Sequence, residues 1–279
     1  MSNFKSIAKK IYQKSKEKVV VPIEKVVPEN QILEGKVALI AGGSGGIGMA
    51  VSASLLQAGC KVILGGTKPD KLKKCKNSFE EKYQKNISTA IINMLDISNF
   101  SSNIEKVVSI FGKIDIFVNS AGVHTENADF WKMTPNEFDR VMNINLKGPY
   151  FACLEMAKYW KRNALKGHIL LISSSRGSEP AFSPYGISKW GINGMTKGLA
   201  AILVNDNIIV NAIAPGSTAT ALLGVHKGDS IYTIDNRFNR MVMPDEIGEY
   251  ARMMVSDAGD MLVGETLHIS GGRGVFDIR

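Results

Sequence analysis

From residue 35 onward, short apolar runs alternate with longer stretches of helical periodicity. The runs at 37–40, 61–64, 88–93, 114–118, 168–172, 208–213 and 266–269 read as strands. Between them, helical patterns span 46–58, 69–84, 98–111, 135–162, 185–204 and 244–256. Strands rich in Val, Ile and Leu, without polar alternation, are buried on both faces. Regular β–α alternation builds a parallel sheet with helices on either side. The pattern therefore predicts one α/β domain over 35–279, a single doubly wound, Rossmann-like parallel sheet of about seven strands. No internal repeat and no second domain stand out.

Residues 1–34 read as a basic extension ahead of that domain. Phe4, Ile7, Ala8, Ile11 and Tyr12 recur at helical spacing, with Lys5, Lys9, Lys10 and Lys14 elsewhere around the wheel, before Pro22 and Pro28 end regular helix. Such a helix can lie on a membrane surface, or pack on its own domain or a neighbouring subunit; the second reading is preferred.

Composition narrows the class. At 44% apolar and 22% charged residues the chain is ordinary globular protein rather than a disordered one. The formal charge is +8, and residues 1–34 supply +3 of it, seven lysines against four glutamates. Such an excess attracts anions, but no nucleic-acid-binding motif accompanies it, and no apolar run is long enough to cross a bilayer. Cys60, Cys75 and Cys153 stand far apart, and neither they nor the histidines have metal-ligand spacing. The expectation is a cytoplasmic protein with no resident metal. Trp131, Trp160 and Trp190 are read as helix-packing residues and His124, His168, His226 and His268 as structural, with substrate contact left open for His226.

Candidate chemistry begins after the first strand, where Gly42, Ser44, Gly46, Ile47 and Gly48 lie in a glycine-rich turn leading into a helix. Such a turn brings backbone N–H groups, and the positive end of the helix dipole, against a pyrophosphate. Tight turns without ligands use the same residues, so the placement between first strand and first helix carries the argument. An acidic residue ending the second strand would favour NAD. Here Gly65-Gly66-Thr67-Lys68 holds no carboxylate, and Thr67 and Lys68 either bind a 2′-phosphate or simply open the next helix. The reading is NADP, with NAD possible.

Tyr185 and Lys189, four apart, share one helix face. A phenol titrates near ~10, and lowering it by about three units takes roughly 4 kcal/mol of preference for the phenolate. A nearby cation and a charged nicotinamide in a poorly solvated cleft supply that order of magnitude.

The ordered set resembles the short-chain dehydrogenase/reductase family, in its single-domain branch, from about Gly35 to the C-terminus. The resemblance is carried by the Gly42, Gly46 and Gly48 turn, Asp96 and Ile97 after the third strand, and Asn119-Ser120-Ala121-Gly122 after the fourth. Asn145, Ser173-Ser174-Ser175, Tyr185 with Lys189, and Pro215-Gly216-Ser217-Thr218 complete it. Ala41 and Ser120 depart from the family's usual residues at their positions. The resemblance implies that Tyr185 exchanges the proton, that Lys189 lowers its pKa and holds the nicotinamide ribose, and that Ser174 polarises the carbonyl. Ser173 and Ser175 remain alternatives to Ser174. Asn145 would hold a water leading from Lys189 to solvent, with Asn143 as its competitor. Asp96, Ile97, Asn119, Ala121 and Gly122 would flank the adenine side, and Pro215, Gly216 and Thr218 the nicotinamide.

The implied activity is hydride transfer between NADP(H) and a small-molecule carbonyl or alcohol. The segment from Thr220 to Met243 mixes His226, Lys227, Asp229, Arg237 and Arg240 with Leu222, Leu223 and Ile231. It admits a polar hydroxylated substrate or a 3-oxoacyl thioester. The rivals are a catalytically idle dinucleotide sensor and a sugar-nucleotide epimerase or dehydratase on the related extended scaffold. The resemblance also implies a homo-oligomer, a tetramer or a dimer, joined through the 135–162 and 185–204 helices.

Overall fold

The computed structural model describes residues 28–226 and 228–276. The helix read over residues 4–12 lies outside them. Seven strands form one sheet: β1 (Val37–Ala41), β2 (Lys61–Gly66), β3 (Ile87–Ile91), β4 (Ile116–Asn119), β5 (Gly167–Ile172), β6 (Ile208–Pro215) and β7 (Thr266–Ile269). Their spatial order is β3-β2-β1-β4-β5-β6-β7, and every neighbouring pair is parallel. The chain runs outward from β1 to β3, then crosses back to the other side of β1 to lay down β4. Connections therefore leave β1 and β4 in opposite directions, opening a crevice at their carboxyl ends. Ala41 at that end pairs with both Gly65 and Asn119.

Alternation along each strand divides the interior in two. Val37, Leu39 and Ala41 face a core shared with α3 (Phe100–Phe111), α5 (Gly148–Arg162) and α6 (Pro184–Leu203). Ala38 and Ile40 face the other core, beneath α1 (Gly46–Gln57), α2 (Pro69–Asn77) and α7 (Pro244–Met254). Trp160 fills the first core completely, and its indole N–H donates to the Ile114 carbonyl at 2.7 Å. The other two tryptophan expectations fail. Trp131 is 89% exposed and stacks edge-on against Phe130, and Trp190 is half exposed, its indole bonded to the Glu179 carbonyl.

The helix starts follow local chemistry. Thr134 caps α4 (Pro135–Met142) by accepting from Glu137 N–H, and Ser183 caps α6 by accepting from Gly186 N–H; each is followed by proline at the first helical position. Two expected helices are interrupted. The 69–84 stretch stops at Asn77, where Ser78 turns its hydroxyl back on the Cys75 carbonyl and the Gln84 amide takes the Lys76 and Phe79 carbonyls. The 135–162 stretch is broken by a π-turn at Asn143–Lys147. Pro149 has no N–H for the Asn145 carbonyl, and the wider turn absorbs the missing bond.

Candidate functional site

At the crevice, the first glycine turn packs directly against the end of β4. Gly42 has φ +74°, and a Cβ there would lie 2.5 Å from the Ala121 nitrogen, so only glycine fits. Gly43 N–H donates to the carbonyls of Ile40 and Gly65, fixing the turn to β1 and β2. Helix α1 then opens on Gly45 with no side-chain cap, which leaves its first-turn N–H groups facing the crevice. Gly46 lies under Thr220, whose methyl would meet an added Cβ at 2.6 Å. Asn119, buried at the tip of β4, has an Oδ1 with no partner. An uncapped helix start, a turn closed to side chains and an orphaned amide oxygen together fit an anionic dinucleotide.

Ile47, Pro215, Gly216 and Thr218 line the same 290 Å³ cavity as Ser174 and Tyr185. Ser44 stands at the turn beside Gly66, and Ala121 and Gly122 follow β4 past Gly42 and Lys189. Asp96 and Ile97 do not line the cavity; the Asp96 carboxylate accepts from the Asn99 amide in the turn after β3. Thr67 and Lys68 are exposed at the end of β2, where Lys68 precedes α2 without capping it.

The three consecutive serines point in different directions. Ser173 Oγ donates to Asn193 Oδ1 at 2.5 Å, toward α6. Ser175 is buried under Gly274. Ser174 Oγ accepts from the Arg176 N–H at 3.2 Å and shares the cavity wall with the Tyr185 phenol, whose pKa it lowers. Ser174 is thus the serine that meets the phenol.

Burial pushes the Tyr185 phenol above its ordinary range, opposed by the Ser174 hydrogen bond and then by the guanidinium charges of Arg176 and Arg273. Lys189 is fully buried, which lowers its ammonium to about 8; its Nζ donates to the Ile172 carbonyl at 2.9 Å and lies 5.6 Å from the Tyr185 ring centroid. In the protein alone, burial outweighs the cations near the ring.

Asn145 is buried in the π-turn, where its side chain works as a clamp. Its Oδ1 accepts from Val123 N–H and its Nδ2 donates to the Val123 carbonyl, both at 2.9 Å, with a longer bond to Ser188 Oγ. Ser188 in turn donates to the Tyr185 carbonyl at 2.7 Å. Asn143 makes no such contact in the site. The clamp holds the segment carrying His124, whose imidazole stacks on the Tyr185 ring at 4.3 Å and 29°. Burial, and then the charge of Lys189, lower the His124 pKa, so the stacked ring is neutral. Thr125 Oγ1 accepts from Tyr185 N–H at 3.0 Å. His124 is therefore a site residue, and its position two residues after Gly122 was the available signal.

A second feature absent from the sequence reading lies at the cavity mouth. Arg273, just past β7, bonds Glu179 at 2.8 Å and Asp235 at 2.7 Å. Arg176 bonds the other Glu179 oxygen at 2.8 Å. Despite partial burial, the two guanidinium groups hold the Glu179 carboxyl below the usual range. These residues lie far apart along the chain and belong to no local motif. Among the described residues, no cluster of potential metal ligands occurs and no helix is long and apolar enough to cross a membrane.

Comparison with known proteins identifies relatives of this chain. A family model described as short chain dehydrogenase matches residues 36–229. The 3-oxoacyl-[acyl-carrier-protein] reductase FabG of Thermotoga maritima is 33% identical over 244 residues, 86% of this chain and 98% of that protein. A 3alpha-hydroxysteroid dehydrogenase of Mediterraneibacter gnavus is 30% identical over 86% of this chain and 97% of its own. Among solved structures, a gluconate 5-dehydrogenase from Burkholderia cenocepacia, in complex with NADP and tartrate, superposes with a TM-score of 0.79 at 25% identity, covering 89% of this chain and 99% of that one.

Proposed function

Since this chain belongs to the short-chain dehydrogenase/reductase family, we propose that it transfers a hydride between NADP(H) and a carbonyl or alcohol substrate, with Tyr185 as general acid and base. The observation that carries the reading is the meeting of Ser174 and Tyr185 at one cavity wall, with Lys189 behind the phenol. When bound, the dinucleotide would supply the hydride in reduction and accept it in oxidation. The uncapped start of α1 and the Gly42–Gly48 turn would hold its pyrophosphate, with Asn119, Ala121 and Gly122 alongside and Pro215, Gly216 and Thr218 toward the nicotinamide.

The chain's own residues handle the oxygen of the substrate. Ser174 Oγ and Tyr185 Oη both donate to it, and these bonds strengthen as negative charge develops there. Tyr185 Oη then passes its proton to that oxygen in reduction and takes it back in oxidation. Lys189 places a positive charge behind the phenolate, and Asn145 keeps the His124 segment and the start of α6 in register. Mixing the protein with NADPH and a panel of ketones, and following the loss of nicotinamide absorbance, tests the activity. The sensor reading requires binding without turnover in the same assay.

NADP preference rests on the missing carboxylate after β2 and on Lys68, and the gluconate 5-dehydrogenase relative holds NADP. A Lys68→Glu variant is expected to lose roughly tenfold or more in NADP affinity while NAD affinity holds or rises, from loss of one charge-assisted contact and repulsion of the 2′-phosphate. Side-by-side titrations check it, and equal NADP affinity in variant and parent refutes the role of Lys68.

Self-association is read from an apolar groove of 630 Å³ between the π-turn, α5 and α6, lined by Leu146, Tyr150, Phe151, Leu199 and Ile202. Ile202 is 67% exposed there. An Ile202→Asp variant should fold normally, yet run as a smaller species than the parent in size-exclusion chromatography with light scattering. An unchanged mass excludes this face. A cytoplasmic location is the companion expectation, drawn from the well-separated free thiols.

A further inference from the structure

The cavity that holds Ser174 and Tyr185 has a cationic end that the carbonyl chemistry does not require. Among the described residues, Arg176 and Arg273 are the charged groups lining it, and no carboxylate lines it. Their partners Glu179 and Asp235 line a second cavity that the two arginines also border, and Asp235 accepts from the Ser217 hydroxyl. The guanidinium groups thus border the reacting wall and the carboxylates do not line it.

The two arginines are not equivalent. Arg273 is committed to Glu179 and Asp235, with further contacts to Ser217 and the second Glu179 oxygen. Arg176 makes one side-chain bond, to Glu179, and 48% of its side chain is open. A guanidinium has five N–H donors, so most of those on Arg176 are free. Its backbone N–H bonds Ser174 Oγ, which ties its position to the reacting oxygen. The neighbouring wall mixes the hydroxyls of Thr125, Ser183 and Ser217 with Ala128, Leu222 and Leu223. At 290 Å³ the space suits a compact molecule.

The geometry points to a substrate that carries a carboxylate near its reacting carbon, gripped by Arg176, with Glu179 and Arg273 holding that guanidinium in place. The class is a compact, hydroxylated oxo acid or hydroxy acid. A planar guanidinium matches a carboxylate with two parallel hydrogen bonds, whereas a neutral ester or thioester gains far less from it. This inference rests on the oxidoreductase reading of the site.

The test separates binding from turnover. The Tyr185→Phe protein loaded with NADPH is titrated with 3-oxobutanoate and with its methyl ester by calorimetry, then again with Arg176→Gln added. Arg176 is half exposed, so its replacement leaves the fold in place. The acid is expected to bind about tenfold or more tightly than the ester, as one charge-assisted pair allows, and Arg176→Gln should close that gap by weakening the acid. Equal affinity for acid and ester, or a preference that survives Arg176→Gln, overturns the inference. Turnover by the parent protein is read separately. Acid-selective binding without any NADPH oxidation would leave the carboxylate grip standing and remove the oxidoreductase reading, while ester reduction without acid preference would do the reverse.

Discussion

A Tyr185→Phe protein is expected to bind its dinucleotide normally and to reduce carbonyl substrates about 10³-fold more slowly, the size of effect a positioned general acid contributes. Phenylalanine keeps the ring, and hence the stack with His124, and removes only the oxygen that meets Ser174. Losing one hydroxyl that lines the cavity costs about 1 kcal/mol of stability at most, too little to unfold a domain of this size. The pH profiles add a second readout. Because burial holds the phenol above its ordinary range, it stays protonated through neutral pH. Reduction should therefore hold across that interval and fall only toward alkaline pH, whereas oxidation, which needs the phenolate, should rise with pH. Residual activity in Tyr185→Phe should lack that limb. A variant that turns over at the parent's rate would remove Tyr185 from the chemistry.

Lys189→Met is expected to move activity and stability in opposite directions. The ammonium is fully buried, and its pKa falls from 10.5 to about 8. Below pH 8 it is charged in both folded and unfolded chains, and folding bears the burial cost, about 3 kcal/mol at most. Between pH 8 and 10.5 the unfolded chain binds the extra proton, so the parent's stability climbs with pH across that window. Methionine fills the same volume without charge and forfeits one bond to the Ile172 carbonyl, worth about 1 kcal/mol. The net gain near neutrality is about 1–2 kcal/mol, or roughly 2–4 °C in Tm for a domain of this size. Turnover should fall by about 100-fold or more, since the phenolate loses its supporting charge. Thermal melts at pH 7 and pH 10 check both parts: the variant should be the more stable at pH 7 and lose that margin at pH 10. A variant less stable than the parent at pH 7 would show that Lys189 is a structural cation.

Much of the fold was readable because the strands are buried on both sides. Val37–Ala41 and Ile208–Pro215 are apolar runs that a parallel sheet demands, and all seven strands fell where such runs lie. The errors came where a single side chain decided the local structure. Nothing in the periodicity of 69–84 announces that Gln84 will fold back on Lys76, and Pro149 reads as a possible kink rather than a five-residue π-turn. The site shows the same division. Tyr185, Lys189 and Ser174 lie at short range or in ordered motifs, while the link from Arg273 to Glu179 joins residues from opposite ends of the catalytic region, which no local spacing encodes. His124 was misread because a lone histidine in a loop has no partner until Tyr185 is brought beneath it. Trp131 stands in solvent, since a large ring in a short turn need not find a helix to pack against.

The contact between Gly46 and Thr220 binds together two stretches that evolution would otherwise alter independently. Any side chain gained at position 46 displaces the threonine, and with it the residues that lead into the roof of the pocket. Bulk added at the start of α1 is therefore accommodated only where position 220 gives up its methyl, which makes the two positions an energetically coupled pair.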